Sequence, residues 1–373
     1  MNNDKNIPNV PTLRFGGFSD LWKKSTIEKN AKVYDGTHQT PIYTKSGVKF
    51  VSVENIKDLY SSDKYISVED YYSDFKYVPE INDILMTRIG DIGTPALVTK
   101  SEPLAYYVSL ALLKEIDLEP HFLYHYIQTA PFQKELWRRT LHVAFPKKIN
   151  KNEIGDCAIF YPSTRCEQKK VALFLDGIEK RIKIQNKIIS KYETLIKGLG
   201  DRIFRHNKTI PLSDLVICKT STFQENEVVN DNSGQYNVFG ASGIIASVSN
   251  YQFDRNAILV LKDGSKAGKI QYASGKYSVV GTSVILIPKI ESDAKYLYFA
   301  MLAIDFGQYK VGSGIPHIYF KDYSSEKIYY PDEMQRNRIE KTLTTYETKL
   351  GVEKRMLSAL LKQKAFFLQS MFI

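Results

Sequence analysis

A glycine-rich stretch that carries lysines is the part of the chain most like a phosphate-binding loop: Gly264-Ser265-Lys266-Ala267-Gly268-Lys269. A Walker A motif has four residues between its glycines and Ser or Thr after its Lys, whereas this stretch has three, and Ile270 follows. The spacing therefore excludes a nucleoside-triphosphate site of that type. As a basic turn with Lys262, Lys266 and Lys269, the stretch instead predicts contacts to DNA phosphates.

Two histidines resemble half of a zinc site. His121 and His125 stand four residues apart and can share one face of a helix, but the H-E-x-x-H pattern requires Glu where Phe122 stands. Without that Glu the pair lacks its general base, so we interpret both residues as histidines on a helix surface. We expect no metal site in this chain.

Three charged residues near the end leave one enzymatic alternative open, an autonomous Mg-dependent nuclease. Asp332, Glu347 and Lys349 have the residue types that bind a metal ion and polarise water. Glu347 and Lys349, however, fall in a segment with a heptad pattern, where a charged pair is typical of the solvated edge of a coiled coil. We therefore expect no catalytic residues and keep the nuclease as the alternative.

Basic residues cluster in two comparable parts of the chain. The net charge of +10 and the pI of about 9.1 favour a polyanionic partner. Lys and Arg neutralise phosphates, and Arg can also read base edges in the major groove. The predicted DNA-binding residues are Arg88, Arg138, Arg139, Lys147 and Lys148 in the first cluster and Lys262, Lys266, Lys269, His317 and Lys321 in the second.

A long helical pattern follows each cluster, and the two patterns repeat each other. Apolar residues alternate at steps of four and three, which is the heptad seam of a coiled coil, and eight of them recur 168 residues later. We predict helices over 163–205 and 332–372, rods of about 55 Å that could hold two modules over separate major grooves of a duplex. The seam residues include Val171, Leu175, Ile178, Ile182, Leu199 and Ile203 in the first helix and Ile339, Leu343, Tyr346, Leu350, Phe367 and Met371 in the second.

The segments before the helices are rich in short strand patterns and also echo each other. Asp83-Ile84-Leu85 before Arg88 matches Ala257-Ile258-Leu259 before Lys262. The sequence therefore predicts an α+β protein with a pseudo-two-fold internal repeat, in which strand-rich domains alternate with long coiled-coil helices. The predicted segments are a first domain at 1–158, a central helix at 159–207, a second domain at 208–327 and a C-terminal helix at 328–373.

The composition is that of an ordinary globular protein, with 43% hydrophobic and 25% charged residues. The stretch from Met1 to Pro11 is polar and lacks the apolar core of a signal peptide, and no apolar run is long enough to span a bilayer. Cys157, Cys166 and Cys218 form no C-x-x-C pair, which fits a reducing compartment. We therefore expect a cytoplasmic protein without a membrane partner.

Three stretches resemble the specificity subunits of type I restriction-modification systems, and the likeness extends over essentially the whole chain. The duplication and the order of these stretches make the resemblance specific. They are Val10-Pro11-Thr12-Leu13-Arg14-Phe15 with Gly17-Phe18 and Trp22, then Gln235-Tyr236-Asn237-Val238-Phe239-Gly240-Ala241-Ser242-Gly243, and Pro162 with Glu167-Gln168 and Val171 at the entry to the first helix.

The resemblance implies a division of labour. Each target-recognition domain would bind one half of a split double-stranded DNA sequence, and two antiparallel helices would set the gap between the halves. Methyltransferase subunits would bind around Glu167, Gln168, Gln335 and Arg336 and supply S-adenosylmethionine chemistry, while a restriction/translocase subunit would use ATP and Mg. The chain itself would be no enzyme and need no cofactor. A non-specific nucleic-acid-binding scaffold stays open as a further alternative.

Overall fold

The computed structural model describes residues 10–205, 209–224, 234–312 and 314–373. The chain forms two compact units: the first runs to Gln185 and includes Met356–Ile373, and the second is Asn186–Arg355. Each unit combines small β-sheets, short helices and parts of two long helices, which confirms the predicted α+β class. The predicted boundary between 207 and 208 lies outside the described residues, as does 1–9 of the polar N-terminal stretch.

The first unit is built around a four-stranded antiparallel sheet. Its strands are β1 (Lys23–Thr26), β2 (Lys32–Asp35), β3 (Val48–Val51), β4 (Tyr65–Ile66), β5 (Ile84–Ile89), β6 (Asp91–Leu97), β7 (Leu104–Tyr106), β8 (Leu110–Lys114) and β9 (Ala158–Tyr161). The main sheet has the order β2-β8-β5-β6, and a smaller sheet has the order β4-β3-β7 with β3 parallel to β7. β1 pairs with β9. The central strands β5 and β8 are buried almost throughout, including the polar Thr87 and Arg88 of β5.

Short helices cover this sheet and carry the main apolar core. They are α1 (Val68–Asp74), α2 (Pro120–Ile127), α3 (Ala130–Arg139) and α4 (Lys151–Gly155), with 3₁₀ turns at Val53–Asn55 and Leu59–Ser61. Phe122 of α2 packs against Trp22, and Phe122 and Tyr126 both pack against Phe372 near the C-terminus, with ring centroids 5.3–5.9 Å apart. The end of the chain is therefore part of the core of the first unit.

The second unit repeats the arrangement. Its strands are β10 (Ile210–Pro211), β11 (Val216–Thr220), β12 (Tyr236–Gly240), β13 (Gly243–Val248), β14 (Phe253–Asp254), β15 (Ala257–Leu261), β16 (Ile270–Ala273), β17 (Lys276–Val279), β18 (Ser283–Pro288) and β19 (Lys327–Ile328). The main sheet has the order β11-β18-β15-β16, the second sheet β13-β12-β17-β14, and β10 pairs with β19. Strand β12 is parallel to β17 as β3 is to β7, which confirms the predicted internal repeat.

Two long helices follow these domains. The central helix is α5 (Arg165–Phe204), and the second unit also contains α6 (Leu212–Leu215), α7 (Ala294–Met301), α8 (Phe320–Tyr323) and 3₁₀ turns at Glu291–Asp293 and Phe306–Tyr309. The C-terminal helix is α9 (Glu333–Ser370). Both lie within the predicted ranges, and 40 residues give the central helix a length of about 60 Å. A side-chain oxygen caps each start, Thr164 accepting from Glu167 N and Asp332 from Gln335 N.

The apolar seam joins the two long helices in antiparallel fashion within each unit. In the first unit Phe174 packs edge-on against Phe367, and Glu179 pairs with Lys364 at 2.5 Å. In the second unit Glu193 pairs with Lys354 at 2.7 Å, while the ends of the helices share one apolar cluster. The buried seam residues confirm the predicted heptad pattern: Val171, Leu175, Ile178, Ile189, Leu343, Leu360 and Met371.

A polar network reinforces the helix junction of the first unit and corrects our interpretation of the histidines. Both histidines lie on α2, but His125 is completely buried rather than on the surface. The Asp176 carboxylate lies 2.7 Å from Nδ1 of His121 and 2.8 Å from Nε2 of His125. Lys364 extends the network by donating to Glu179 and Gln128.

The same place in the second unit contains a cleft with apolar and charged walls. Ile196 stands in the sequence repeat where the first unit has Lys364, 168 residues later in the chain. A cleft of about 610 Å³ opens there between α7 and the two long helices, lined by Tyr298, Leu302 and Leu343 among others. Lys295 and Glu347 pair across its edge at 2.6 Å.

We predict that replacing Gly177 or Gly198 with Ala stabilises the protein. Both glycines are exposed inside the central helix, and an added Cβ would meet no atom within 4 Å. The gain should be about 0.5–1 kcal/mol in free energy of unfolding for each, because Ala restricts the unfolded chain. Urea denaturation measures it.

Gly268→Ala is the matched control for these variants. Gly268 has φ +89°, and its added Cβ would lie 2.5 Å from Cβ of Phe306, so this variant should lose stability. A loss of stability at Gly177 or Gly198 would contradict the prediction.

We also predict a pH-dependent contribution of His121 to the stability of the first unit. The Asp176 carboxylate raises the pKa of His121; burial raises the pKa of Asp176, but the two histidines outweigh burial and lower it. The ion pair therefore stabilises the fold fully below the unfolded pKa of histidine and is lost as pH rises through the raised pKa of His121.

The test compares the free energies of unfolding of wild type and His121→Gln at pH 6 and pH 9. Because His121 is partly exposed, wild type should lose about 0.5–1 kcal/mol more than the variant over this range. His38→Gln, at an exposed histidine, should behave like wild type. An identical pH dependence of wild type and His121→Gln would refute the ion-pair account.

Candidate nucleic-acid interface

A loop spanning 141–148 lies beside the turn between β5 and β6 in the first unit. Its ends meet where Leu141 N donates to Lys148 O at 2.8 Å. Gly90 N, in the turn, donates to Lys147 O at 2.8 Å, and Ile149 N donates to Arg88 O at 3.0 Å. Backbone hydrogen bonds therefore fix the loop to the end of the central strands.

The second unit contains the same frame, which is a loop fixed to a turn by backbone hydrogen bonds, with different side chains. Val311 N donates to His317 O, Gly264 N to Pro316 O and Ile318 N to Lys262 O, each at 2.9 Å. Lys148 bridges Ile89 in the first unit as His317 bridges Asp263 in the second. Each unit thus presents a loop and a turn side by side, at equivalent positions of its main sheet.

The turn glycines make this frame possible. Gly90 has φ +80° and Gly264 has φ +89°, a left-handed conformation that costs other residues about 1–2 kcal/mol. An added Cβ would meet no neighbour at either position, so the backbone angle alone favours glycine. This conformation turns each amide N–H toward the carbonyl of the neighbouring loop.

Most of the predicted basic residues of the first unit surround its loop. Lys147 and Lys148 are exposed on the loop, and Arg138 is exposed at the end of α3. The charge of Arg139 is offset because its guanidinium bonds Glu135 at 2.9 Å and Glu153 at 3.2 Å. Arg138 also lies near Glu135, with its Nη1 3.9 Å from that carboxylate, so Lys147 and Lys148 are the predicted cations of this region without a carboxylate pair among the residues that the structure describes.

Arg88 requires a correction. Only 5% of its surface is exposed, its Nε donates to Ile149 O at 3.0 Å, and its Nη1 pairs with Asp35. The guanidinium is held in the domain interior and does not reach the surface where DNA would lie. Arg88 supports the loop from beneath instead of contacting phosphates.

The predicted residues of the second unit lie around the corresponding turn. Lys266 and Lys269 are exposed, and Lys262 is half-buried with its Nζ 4.0 Å from Asp263. Nδ1 of His317 lies 2.8 Å from the same carboxylate. Lys321 follows on α8, exposed and 5.6 Å from the ring of Tyr319. The turn and the loop therefore share one basic surface in which Asp263 orients His317.

Two of the residues predicted to bind partner subunits form hydrogen bonds that hold the start of the central helix in place. Glu167, 2% exposed, accepts two hydrogen bonds from Arg14 at 2.7 and 2.8 Å and one from Trp22 at 3.3 Å. Gln168 donates to Pro162 O at 3.0 Å and accepts from Glu119 N at 2.8 Å. Both side chains form hydrogen bonds inside the first unit, and their contacts with partner subunits stay a prediction.

Charged residues hold the start of the C-terminal helix in an equivalent way. Arg336 is buried, donates to Pro331 O at 2.6 Å, and bonds the Asp293 carboxylate at 3.1 Å. Tyr330 lies under the guanidinium at 4.1 Å; burial and Asp293 raise the pKa of Tyr330 to about 12, so its hydroxyl keeps its proton and donates to that carboxylate. Arg336 therefore has an internal role too, whereas Gln335 is exposed.

The geometry does not support the nuclease alternative. Asp332 caps the C-terminal helix, and Glu347 lies fifteen residues further along, about 22 Å away at the rise of an α-helix. Glu347 is also paired with Lys295 at 2.6 Å. Among the residues that the structure describes, no group of three or more His, Cys, Asp or Glu side chains could hold a metal ion.

Sequence reasoning missed two features of the basic surfaces. Trp137 is half exposed and holds Lys147 over its ring at 4.5 Å, while His142 packs on it at 4.3 Å. Asp263 was also missed, although it adjoins a predicted lysine. The sequence offered one signal, because Trp137 stands at helical spacing from Leu141. Periodicity alone cannot tell whether an aromatic residue at such a position is exposed or belongs to the core.

In the described ranges, no helix is both long and apolar enough to cross a membrane.

Comparisons with known proteins identify the family. A model for the type I restriction modification DNA specificity domain matches residues 13–194 and again 206–362. The type I restriction enzyme MjaVIII specificity subunit of Methanocaldococcus jannaschii is 28% identical over 123 residues, which cover 32% of this chain and 28% of that relative.

Solved structures show that the fold is shared. A type I restriction-modification system S subunit from M. genitalium superposes with a TM-score of 0.70 at 16% identity, covering 98% of this chain and 99% of the other. A chain from a structure of type I R-M complex assembly and conformational transition gives a TM-score of 0.52 at 13% identity, covering 94% and 97%. Because the family model matches twice and spans most of the sequence, the chain belongs to the type I restriction modification DNA specificity family.

Proposed function

We propose that this chain is a non-catalytic DNA-recognition subunit that reads a bipartite double-stranded target, one half with each strand-rich domain. The observation that carries the proposal is the repeated frame of loop and turn, which presents basic side chains at equivalent positions of both units. Lys147, Lys148 and Arg138 serve one half-site, and Lys262, Lys266, Lys269 and His317 serve the other.

The two surfaces differ in side chains although their backbones match. The first combines arginine, lysines and exposed apolar residues, and the second combines lysines with a histidine held by Asp263. Different donors at equivalent positions select different bases, because base edges in the major groove present distinct donor and acceptor patterns. Two unlike half-sites therefore suit this chain better than a palindrome.

Catalysis belongs to other subunits in this proposal. Methyltransferase subunits supply S-adenosylmethionine chemistry, and a restriction/translocase subunit uses ATP and Mg, while this chain directs both to the target. The chain binds no cofactor of its own and acts in the cytoplasm, where its three cysteines are thiols. Gln335, which is exposed at the start of the C-terminal helix, remains the residue of the predicted partner set that is positioned to contact a partner.

Replacing Lys266 and Lys269 together with Ala should weaken DNA binding of the assembled complex about equally for all sequences, by roughly tenfold at a fixed salt concentration. Both ammonium groups are exposed, so their loss removes phosphate contacts rather than core contacts. The slope of log affinity against log salt should fall by about two. Fluorescence anisotropy with labelled duplexes measures both quantities.

Lys289→Ala is the control for this pair, because Lys289 is exposed at the opposite end of β18 from the basic turn. It should leave affinity and salt slope unchanged. A non-specific scaffold would show no preference for any duplex, and unchanged binding by the double variant would remove the basic turn from the DNA surface.

Removing one heptad from each long helix should shorten the gap between half-sites by about three base pairs. Seven residues span about 10 Å of helix, against about 3.4 Å for each base pair, and their removal preserves the seam. Mapping methylated adenines in a host that carries the gene with its partner subunits identifies both targets. The half-sites should keep their sequences; an unchanged gap would reject the helices as the spacing device.

A further inference from the structure

Two apolar side chains project fully into solvent from the 141–148 loop. Val143 is 99% and Phe145 is 104% exposed, the highest values of any large hydrophobic residue in the described parts of the chain. Burial of such side chains favours folding, so the fold gains nothing by holding them outside. Their placement therefore calls for a use outside the folded chain.

A backbone hydrogen bond and contacts with α3 hold the loop in a conformation that exposes Phe145. Its ends are tied by the hydrogen bond from Leu141 N to Lys148 O. His142 Nε2 lies 2.9 Å from Trp137 O and its ring packs on the indole, while Lys147 Nζ lies over the same ring. The base and flanks of the loop are thus anchored to α3, and the tip projects beyond them.

The surroundings of the tip are cationic. No Asp or Glu occurs from Leu136 to Asn152, and Lys148 is exposed on the loop. Arg138 is exposed close by, with Glu135 3.9 Å from its Nη1 on the side of α3, and Asp91 is the exposed carboxylate of the neighbouring turn. A ligand for this surface must combine negative charge with apolar faces. Stacked bases beside phosphates meet that description, and the loop occupies the position that the second unit fills with its own basic loop and turn.

We propose that Phe145 is an apolar wedge that inserts between base steps of the half-site bound by the first domain, while Arg138 and Lys148 hold the adjoining phosphates. The proposal rests on the DNA recognition proposed above. Because the ease of unstacking depends on the base step, Phe145 selects sequence without a hydrogen bond to any base. In the second domain Ile315 precedes Pro316 as Phe145 precedes Pro146, but its aliphatic side chain offers no ring to stack.

The test uses the chain assembled with its methyltransferase subunits and duplexes that carry the mapped target with 2-aminopurine at successive steps. Wild type should increase the fluorescence at one step of the first half-site, because unstacking relieves quenching. Phe145→Ala should abolish that signal and lower affinity roughly tenfold, with the salt slope unchanged because no charge is lost. Phe145→Trp should retain the signal.

Tyr72→Ala is the matched control, since Tyr72 is another highly exposed aromatic residue of the first unit. It should bind and unstack the duplex like wild type. Circular dichroism melting checks that each variant folds, which removal of exposed side chains should not prevent.

The outcomes separate the wedge from the function on which it rests. If wild type prefers the mapped target and Phe145→Ala binds and unstacks it equally well, the wedge is refuted and DNA recognition stands. If wild type shows no preference for the mapped target, the proposed function itself fails. Phe145-dependent binding to phosphatidylserine vesicles, without unstacking of DNA, would overturn the wedge in favour of a lipid surface.

Discussion

The apolar seam between the two long helices is the interaction on which the rest of the molecule depends. Neither unit contains a complete copy of the sequence repeat on its own, because the first needs Met356–Ile373 and the second needs Asn186–Phe204. Phe372 enters the aromatic core of the first unit, and Phe204, 168 residues earlier, packs on Tyr296 in the second. Most of the stability of helices in proteins comes from packing of an apolar face, so the seam maintains both helices.

The starts of the two long helices share one backbone arrangement but are held by different side-chain interactions. Gln168 and Arg336 both donate to the carbonyl of the proline that precedes their helix, but the first completes its bonding with a backbone amide and the second with a carboxylate. The charged version is costly to disrupt, because removal of either partner leaves a buried charge uncompensated. The helix entry is therefore fixed in both units, although the side chains have diverged.

The elements that repeat a simple spacing could be predicted from the sequence, whereas individual partners could not. Heptad steps reflect burial directly, so the helices and most of their seam were predicted within a few residues. Lys147, Lys148, Lys266 and Lys269 are exposed, and their contact with DNA stays a prediction. The burial of Arg88 and Arg336 could not be predicted, because their carboxylate partners lie 53 and 43 residues away and no local pattern marks such a pairing. His125 was misplaced for the same reason, since Asp176 belongs to another helix.

The matched backbone bonds of Gly90 and Gly264 have a consequence for how such a protein can acquire new preferences. A loop transplanted from one domain to the other would find an amide donor and a carbonyl acceptor at the same positions as in its own domain. The two loops are therefore interchangeable as far as these backbone hydrogen bonds are concerned.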